Sequence, residues 1–287
     1  MASRRQSPGD SIMRKKTKAA LLFVIGGLAV MPARIRAQTT AKTPSAESSP
    51  PGKPPEAQQT DERPVSWKRF LPNVLEDQKR IWLFPKSLSE GKHWKPAAAF
   101  ILGTGALVAL DPEDAPYFRR AQTFNGFNRI ASSSNALVAI ASIPAAFYFA
   151  GLARHDQYMQ STVQLAGEAV LDGEAVDLVM RDVSRRQSPS EIAPNGDFSD
   201  TWFRRNKGLF YVGSGGFASG HMIAAVSLAT VFSRRYPNHR WVPWVAYGLA
   251  GLVGFSRITL SDHFPSDVFA GAFLGYAITR YDVLRRP

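Results

Sequence analysis

Two short polar clusters, each placed at the end of an apolar helical run, constrain this chain more than any other feature. The first cluster, residues 217–221, precedes an apolar run over residues 222–232. The second, residues 256–267, ends the run 241–255 and begins the run 268–278. The first N–H groups of a helix lack internal partners, and the helix dipole there favours negative charge. The pattern therefore predicts helix ends that carry an anion site.

The residue types in the two clusters suit phosphoryl chemistry. Gly220 lets the backbone approach a ligand closely, and Ser219 adds a hydroxyl donor. His263 and Asp267 are four residues apart, so on a helix they would share a face. A carboxylate there can hold the imidazole in one tautomer and raise its nucleophilicity. His221 can supply the proton that a leaving oxygen needs.

These clusters resemble the motifs of a known superfamily. Residues 256–267 fit the pattern S-R-x5-H-x3-D at every fixed position, and residues 218–221 resemble P-S-G-H with Ala218 in place of proline. Together they are similar to the type 2 phosphatidic acid phosphatase superfamily, which also contains bacterial acid phosphatases and vanadium haloperoxidases. The resemblance implies an all-α bundle of about six core helices.

The resemblance also implies an activity and a role for each residue. A metal-independent phosphatase would hydrolyse a phosphomonoester or a lipid phosphate, with no cofactor. His263 would attack phosphorus and form a phosphohistidine, Asp267 would orient His263, and His221 would protonate the leaving oxygen. The groups that would hold the phosphate oxygens belong to Arg257, Arg181, Ser219 and Gly220.

An upstream motif of the superfamily, K-x6-R-P, is altered here. Arg181 stands where lysine is expected and Ser188 where arginine is expected, while Pro189 agrees. Arg181 supplies a fixed cation, although its planar fork is not equivalent to an ammonium group. Loss of the second cation removes a strong charged donor. Arg185 and Arg186 are the possible substitutes for the missing arginine.

Two other functions stay open at the level of sequence. A vanadium-dependent haloperoxidase would use the same cradle to hold vanadate, its only cofactor, and the weakened cation set argues against that. A catalytically degenerate envelope protein would bind phosphate groups or protein partners without turnover. Ser188 and Ala218 motivate this third possibility.

Charge and cysteine content exclude some classes of protein. The net charge is +12, but residues 1–95 hold 18 Lys and Arg against 8 Asp and Glu, whereas residues 96–287 hold 17 against 15. The basic excess therefore precedes the motifs, and no nucleic-acid-binding motif accompanies it. The chain has no cysteine, which excludes disulfides and thiolate metal sites.

The composition predicts four regions. Residues 1–37, basic and then apolar for 13 residues, indicate a signal peptide or signal anchor. Residues 38–66, rich in Ala, Thr, Pro and Ser, indicate a disordered linker. Residues 67–96 are aromatic and basic, with a short amphipathic helix near 76–82, and should lie on a membrane surface or pack on the domain. Residues 97–287 form the helical domain.

Within that domain, the length and charge of the apolar runs are compatible with a soluble periplasmic domain and with a polytopic membrane enzyme. An apolar stretch over residues 97–110 should stop at Asp111-Pro112, and Asn135 should cap the next helix. A third helix, residues 158–181, carries four carboxylates, which are expensive in lipid and indicate burial in protein or contact with water. The expected location is a bacterial-type envelope, in the inner membrane or periplasm, with membrane association and the site facing the periplasm.

Overall fold

Helices and short turns make up the whole of the computed structural model, which describes residues 63–204 and 216–285. No strand occurs in these two ranges, so the predicted all-α class is confirmed. Residues Pro64–Arg285 form one compact unit. The predicted leader (1–37) and most of the predicted linker (38–66) lie outside the described residues.

Nine α-helices occur in the described ranges. In chain order they are α1 Trp67–Trp82, α2 Phe84–Ser89, α3 Trp94–Arg120, α4 Asn125–Ile130, α5 Ser133–Ala153, α6 Gln157–Ser184, α7 Gly220–Arg235, α8 Trp241–Thr259 and α9 Pro265–Ile278. A 3₁₀ turn covers Pro189–Glu191, and a π-helical turn covers Thr279–Val283. Helices α3 and α5–α9 form the bundle, in agreement with the prediction of about six core helices, and α1 packs on α6.

Helix α7 lies at the centre of the bundle and packs against α6, α8 and α9. Glycines in α9 make this packing close. A Cβ added at Gly271 would lie 2.5 Å from the backbone oxygen of Ser219, and one added at Gly275 would lie 2.6 Å from that of Ile223. Only glycine allows such an approach. As a result, the polar start of α9 lies directly beside the polar start of α7.

The predicted end of the first apolar helix at Asp111-Pro112 is wrong. Helix α3 continues through Pro112 to Arg120. Proline removes one backbone donor from a helix, which predicts a break, but tertiary bonds hold this turn. The buried Asp111 carboxylate accepts from the Ser266 N–H at 3.2 Å and from Arg186 Nη2 at 2.5 Å.

The cap of the next helix also differs from the prediction. Helix α5 begins at Ser133, two residues before Asn135, and its N-cap is Ser132. The side chain of Ser132 accepts from the Asn135 N–H at 3.3 Å. Serine is a favoured N-cap because its short hydroxyl can satisfy a donor of the first turn.

The carboxylates of α6 are buried in protein, and α1 supplies part of their surroundings. Glu168 and Asp172 are fully buried. Asn73 Nδ2 donates to Glu168 Oε1 and Gln78 Nε2 donates to Asp172 Oδ1, each at 2.9 Å. The aromatic and basic segment therefore packs on the domain. Its opposite face exposes a stripe of apolar side chains: Trp67, Leu71, Leu75 and Trp82.

One helix in the described ranges, α5, is long and apolar enough to cross a membrane, judged by length and composition alone. Only 22% of its apolar window is buried inside the protein. Helix α8 also presents large apolar side chains to the outside, and Trp244 is 83% exposed. These surfaces are compatible with a membrane, and membrane contact stays a prediction.

Candidate active site

The two polar clusters meet at one end of the bundle, where α6 and α8 end and α7 and α9 begin. The Ser219 N–H donates to the backbone oxygen of Asp267 at 3.1 Å, which joins the starts of α7 and α9. The His263 N–H donates to the backbone oxygen of Arg257 at 3.3 Å, which joins the end of α8 to the following loop. The structure therefore brings the residues of both predicted motifs into one site.

His263 and Asp267 lie close together, but not on one helical face as expected. Helix α9 begins at Pro265, so His263 lies in the loop before it, and Phe264 is the N-cap. Proline is favoured at the first helical position, where its missing N–H costs nothing. Asp267 Oδ2 accepts from the Phe264 N–H at 2.8 Å. This capping contact turns the carboxylate back toward His263, whose Nδ1 is 3.8 Å from Oδ2.

The two possible substitutes for the missing motif arginine have different surroundings. Arg186 is 1% exposed, and its Nη1 donates to Asp267 Oδ1 at 2.6 Å. Arg185 is exposed at the end of α6, where its Nε donates to the backbone oxygen of Asp182 at 3.3 Å. Ser188 itself is buried and caps the 3₁₀ turn. Arg186 thus lies behind Asp267, and Arg185 is on the surface.

Arg181 lies beside Gly220, and two carboxylates accompany it. A Cβ added at Gly220 would lie 3.0 Å from Glu174 Oε2, 3.1 Å from Asp177 Oδ2 and 3.1 Å from Arg181 Nη2. Arg181 Nε donates to Asp177 Oδ2 at 2.5 Å. Sequence reasoning assigned no site role to Glu174 and Asp177. Glu174 and Asp177 lie seven and four residues before Arg181, so all three share one face of α6. This spacing could have identified the two carboxylates from the sequence.

The protonation of these carboxylates follows from their burial. Desolvation and then the neighbouring Asp177 raise the pKa of Glu174, Arg181 opposes them, and the net result is a pKa of about 7. Burial also raises the pKa of Asp177, against the attraction of Arg181 and His263. Near neutral pH the Glu174 carboxyl is therefore close to half-ionised at the border of the site.

His221 is the second histidine of the site, and its tautomer follows from its contact. Its Nε2 is 3.3 Å from the backbone oxygen of Ser133. A carbonyl only accepts, so Nε2 carries the proton and Nδ1 is the basic nitrogen of the neutral ring. Burial, and then the positive charge of Arg257, lower the pKa of His221 to about 4. The imidazole is neutral at neutral pH.

Arg257 is fully buried and held from several sides. Its Nη1 donates to Asp262 Oδ2 at 3.1 Å, and its Nη2 donates to the backbone oxygen of Ala131 and to Ser256 Oγ, each at 2.9 Å. Ser133 Oγ donates to the same Asp262 oxygen at 2.5 Å. Burial lowers the pKa of the Arg257 guanidinium. Asp262 and Ser133 were not predicted, because a role for Asp262 depends on a contact with a helix 129 residues away.

Three buried polar atoms of the site have no hydrogen-bond partner. They are Ser219 Oγ, His263 Nδ1 and Asp177 Oδ1. Buried polar atoms are nearly always bonded, so the Ser219 hydroxyl is suited to a polar ligand, whereas His263 Nδ1 faces Asp267 Oδ2 at 3.8 Å. Among the described residues, no group of three or more His, Asp and Glu side chains has the arrangement of a metal site.

The all-α bundle brings two histidines, two arginines and a helix start together at one end, which are the groups that an anion site needs. Residues 162–284 match the family model of the PAP2 superfamily. The matched segment includes every predicted site residue. The resemblance based on the motifs is confirmed.

A solved structure is similar to this chain. It is the first transmembrane PAP2 type phosphatidylglycerolphosphate phosphatase from Bacillus subtilis, which is 21% identical to this chain with a TM-score of 0.40. The match covers 65% of this chain and 93% of that one. No curated protein is significantly similar to this sequence.

Proposed function

We propose that this protein is a phosphatase that hydrolyses a phosphomonoester through a phosphohistidine on His263, without a metal ion. One observation carries the proposal. The buried His263 lies beside the Asp267 carboxylate, 3.8 Å away, where Asp267 joins the start of α9 to that of α7. This is the geometry that a histidine nucleophile needs: one nitrogen faces an orienting carboxylate and the other is free to attack.

In the first step, His263 Nε2 attacks phosphorus while Asp267 accepts a hydrogen bond from Nδ1. The N–P bond forms as the P–O ester bond breaks, and the electron pair leaves with the alcohol oxygen. Donors at the helix start, Ser219 Oγ and the Gly220 N–H, together with Arg181 and Arg257, stabilise the charge on the phosphoryl oxygens. Preorganised donors of this kind usually supply the largest part of a rate enhancement.

His221 delivers the proton to the leaving oxygen. With a pKa of about 4 it carries no spare proton in the free enzyme at neutral pH. The proton therefore arrives with the substrate monoanion, since a phosphomonoester has its second pKa near about 6. The bound phosphate also offsets the positive field of Arg257 and favours protonated His221. In the second step, His221 takes a proton from water, the water oxygen attacks phosphorus, and the N–P bond breaks, which releases inorganic phosphate and restores free His263.

The residues present do not fit vanadate, the cofactor of the haloperoxidase alternative. Asp177 pairs with Arg181 and Asp262 pairs with Arg257. Glu174 adds a third carboxyl group, whose Oε2 would lie 3.0 Å from a Cβ added at Gly220. A multiply charged anion held permanently needs an excess of cations around it. Here each of the two arginines is paired with a carboxylate, so the site has no excess of positive charge. This favours a substrate that binds transiently over a permanently bound anion.

We place the enzyme at a bacterial-type envelope membrane, with the site facing the periplasm and lipid phosphates among its substrates. The exposed apolar surface of α5 and α8 supports this. Large apolar patches on a protein surface mark contact with lipid or a partner. Resistance to extraction of membranes with alkaline carbonate tests the association, and release of the full-length protein by carbonate would contradict it.

Trapping the intermediate tests the mechanism. Wild type is mixed with ³²P-labelled phosphomonoester and quenched in alkali, in which phosphohistidine survives. We expect label on the protein, no label on His263→Asn, and unchanged labelling of His239→Asn, a variant at an exposed histidine in the turn between α7 and α8. A wild type that binds phosphate but acquires no label would favour the catalytically degenerate protein.

A further inference from the structure

All three guanidinium nitrogens of Arg186 donate to groups inside the protein. Its Nη1 donates to Asp267 Oδ1 and to Ser266 Oγ, each at 2.6 Å. Its Nη2 donates to Asp111 Oδ2 at 2.5 Å, and its Nε is 3.3 Å from Thr201 Oγ1. A guanidinium has five N–H donors in a fixed fork, so these partners fix its plane as well as its charge.

Aromatic rings close the two faces of the same group. The guanidinium carbon of Arg186 lies 4.1 Å from the ring centroid of Phe264 and 4.5 Å from that of Trp202. Arginine stacks on aromatic faces in a way that lysine does not. With 1% of its surface exposed, Arg186 cannot turn toward a phosphate without breaking this whole arrangement.

The contact with Asp267 divides that carboxylate between two tasks. Oδ1 accepts from Arg186, and Oδ2 accepts from the Phe264 N–H at 2.8 Å and faces His263 Nδ1. The carboxylate of an aspartate otherwise rotates broadly about its last torsion. Arg186 therefore fixes the rotamer in which the second oxygen points at the histidine.

We propose that Arg186 is a positioning residue that holds Asp267 against His263, rather than a substitute phosphate ligand for the arginine that is missing at position 188. This rests on the proposed function, in which His263 is the nucleophile. The altered motif thus keeps an arginine near the site but gives it a new partner. Arg186 acts on the orientation of the His263 nucleophile through its contact with Asp267. It does not touch the substrate.

Single-turnover phosphorylation distinguishes this role from its alternatives. With labelled substrate in excess and saturating, the first-order rate constant of the first turnover does not depend on how much of the protein is folded, whereas its amplitude does. We expect Arg186→Met to lower the rate constant by about 100-fold and Arg186→Lys by about 10-fold, by analogy with the loss of a group that orients a metal ligand, which costs about 10–100-fold. The inhibition constant of inorganic phosphate should change by less than about 3-fold, which is under about 0.7 kcal/mol.

Two further variants keep the test decisive if Arg186→Met does not fold. Asp111→Asn loosens the same buried cluster without touching Asp267, so it should lower the unfolding temperature while its rate constant falls less than that of Arg186→Lys. Arg154→Met removes an exposed arginine at the end of α5, far from the site, and serves as the matched control.

Three results would overturn the proposal. A phosphate inhibition constant raised more than about 10-fold in Arg186→Lys, with an unchanged rate constant, would make Arg186 a direct phosphate ligand. A lower amplitude with an unchanged rate constant would make it a structural residue only. A wild type that forms no phosphohistidine would contradict the proposed function itself. This result can be told apart from a failure of the Arg186 proposal, because it is measured on the wild type alone.

Discussion

Arg181 Nε donates to Asp177 Oδ2 at a distance of 2.5 Å, so the positive charge of Arg181 in the altered motif is already paired with a carboxylate. Asp177 is 1% exposed and Arg181 only partly covered. A phosphate that approaches Arg181 therefore also approaches a carboxylate. The affinity of the site for an anion depends on how these two charges are balanced.

Neutralising Asp177 should tighten the binding of phosphate. In Asp177→Asn the amide keeps an oxygen that can accept from Arg181, but the repulsion is gone. We expect the inhibition constant of inorganic phosphate at pH 8 to fall about tenfold, which is about 1.4 kcal/mol. The control is Asp114→Asn on the exposed face of α3. Weaker phosphate binding in Asp177→Asn would show that the carboxylate is needed to hold Arg181 in place.

Glu174 should make substrate binding sensitive to pH. Its pKa is raised to about 7, so it is largely neutral at pH 5.5 and ionised at pH 8.5. Ionisation adds a negative charge at the border of the cradle, and KM should therefore rise as pH increases through 7. Glu174→Gln should flatten this rise and match wild type at pH 5.5. An identical rise in KM in wild type and variant would contradict the assignment.

The low pKa of His221 leads to a prediction about leaving groups. A poor leaving group needs a proton in the transition state, whereas p-nitrophenolate leaves without one. His221→Asn should lower kcat/KM for an alkyl phosphate by about 100-fold or more, within the usual range for general acid catalysis. The loss with p-nitrophenyl phosphate should be much smaller. Equal losses on both substrates would indicate that His221 only shapes the site.

Close packing of α9 on α7 sets the position of Ser219. In Gly271→Ala the new Cβ would lie 2.5 Å from the Ser219 backbone oxygen, so α7 must shift. We expect about 1–3 kcal/mol lower stability and a clear loss of activity. Gly248→Ala is the matched control, because no atom lies within 4 Å of its added Cβ. That variant should gain about 0.5–1 kcal/mol. A fully active Gly271→Ala would contradict the packing argument.

The motif helices could be predicted from the sequence because their polar ends and apolar runs are local patterns. The bounds of α7, α8 and α9 follow the runs at 222–232, 241–255 and 268–278 within a few residues. The role of Asp111 could not be predicted in this way. Its partner Ser266 lies 155 residues away, and no local spacing indicates that a carboxylate beside a proline stabilises a helix through such a distant contact.

The contacts of Arg186 were also beyond local reasoning. The sequence marked it as a possible phosphate ligand because it lies near the altered motif, but its partners Asp111 and Asp267 are 75 and 81 residues away. By contrast, the pairing of His263 with Asp267 was expected from their spacing. The contact occurs through a helix cap instead of a helical face, since Pro265 starts the helix after the histidine.

The most direct measurement of the central claim is phosphate release from a panel of soluble monoesters and lipid phosphates, with wild type and His263→Ala compared in detergent. We expect release by wild type on at least one substrate, release at the background level in His263→Ala, and wild-type release in His239→Ala. Activity retained by His263→Ala would contradict the phosphohistidine mechanism. No release by folded wild type that still binds inorganic phosphate would make this protein a phosphate-binding member of its superfamily rather than an enzyme.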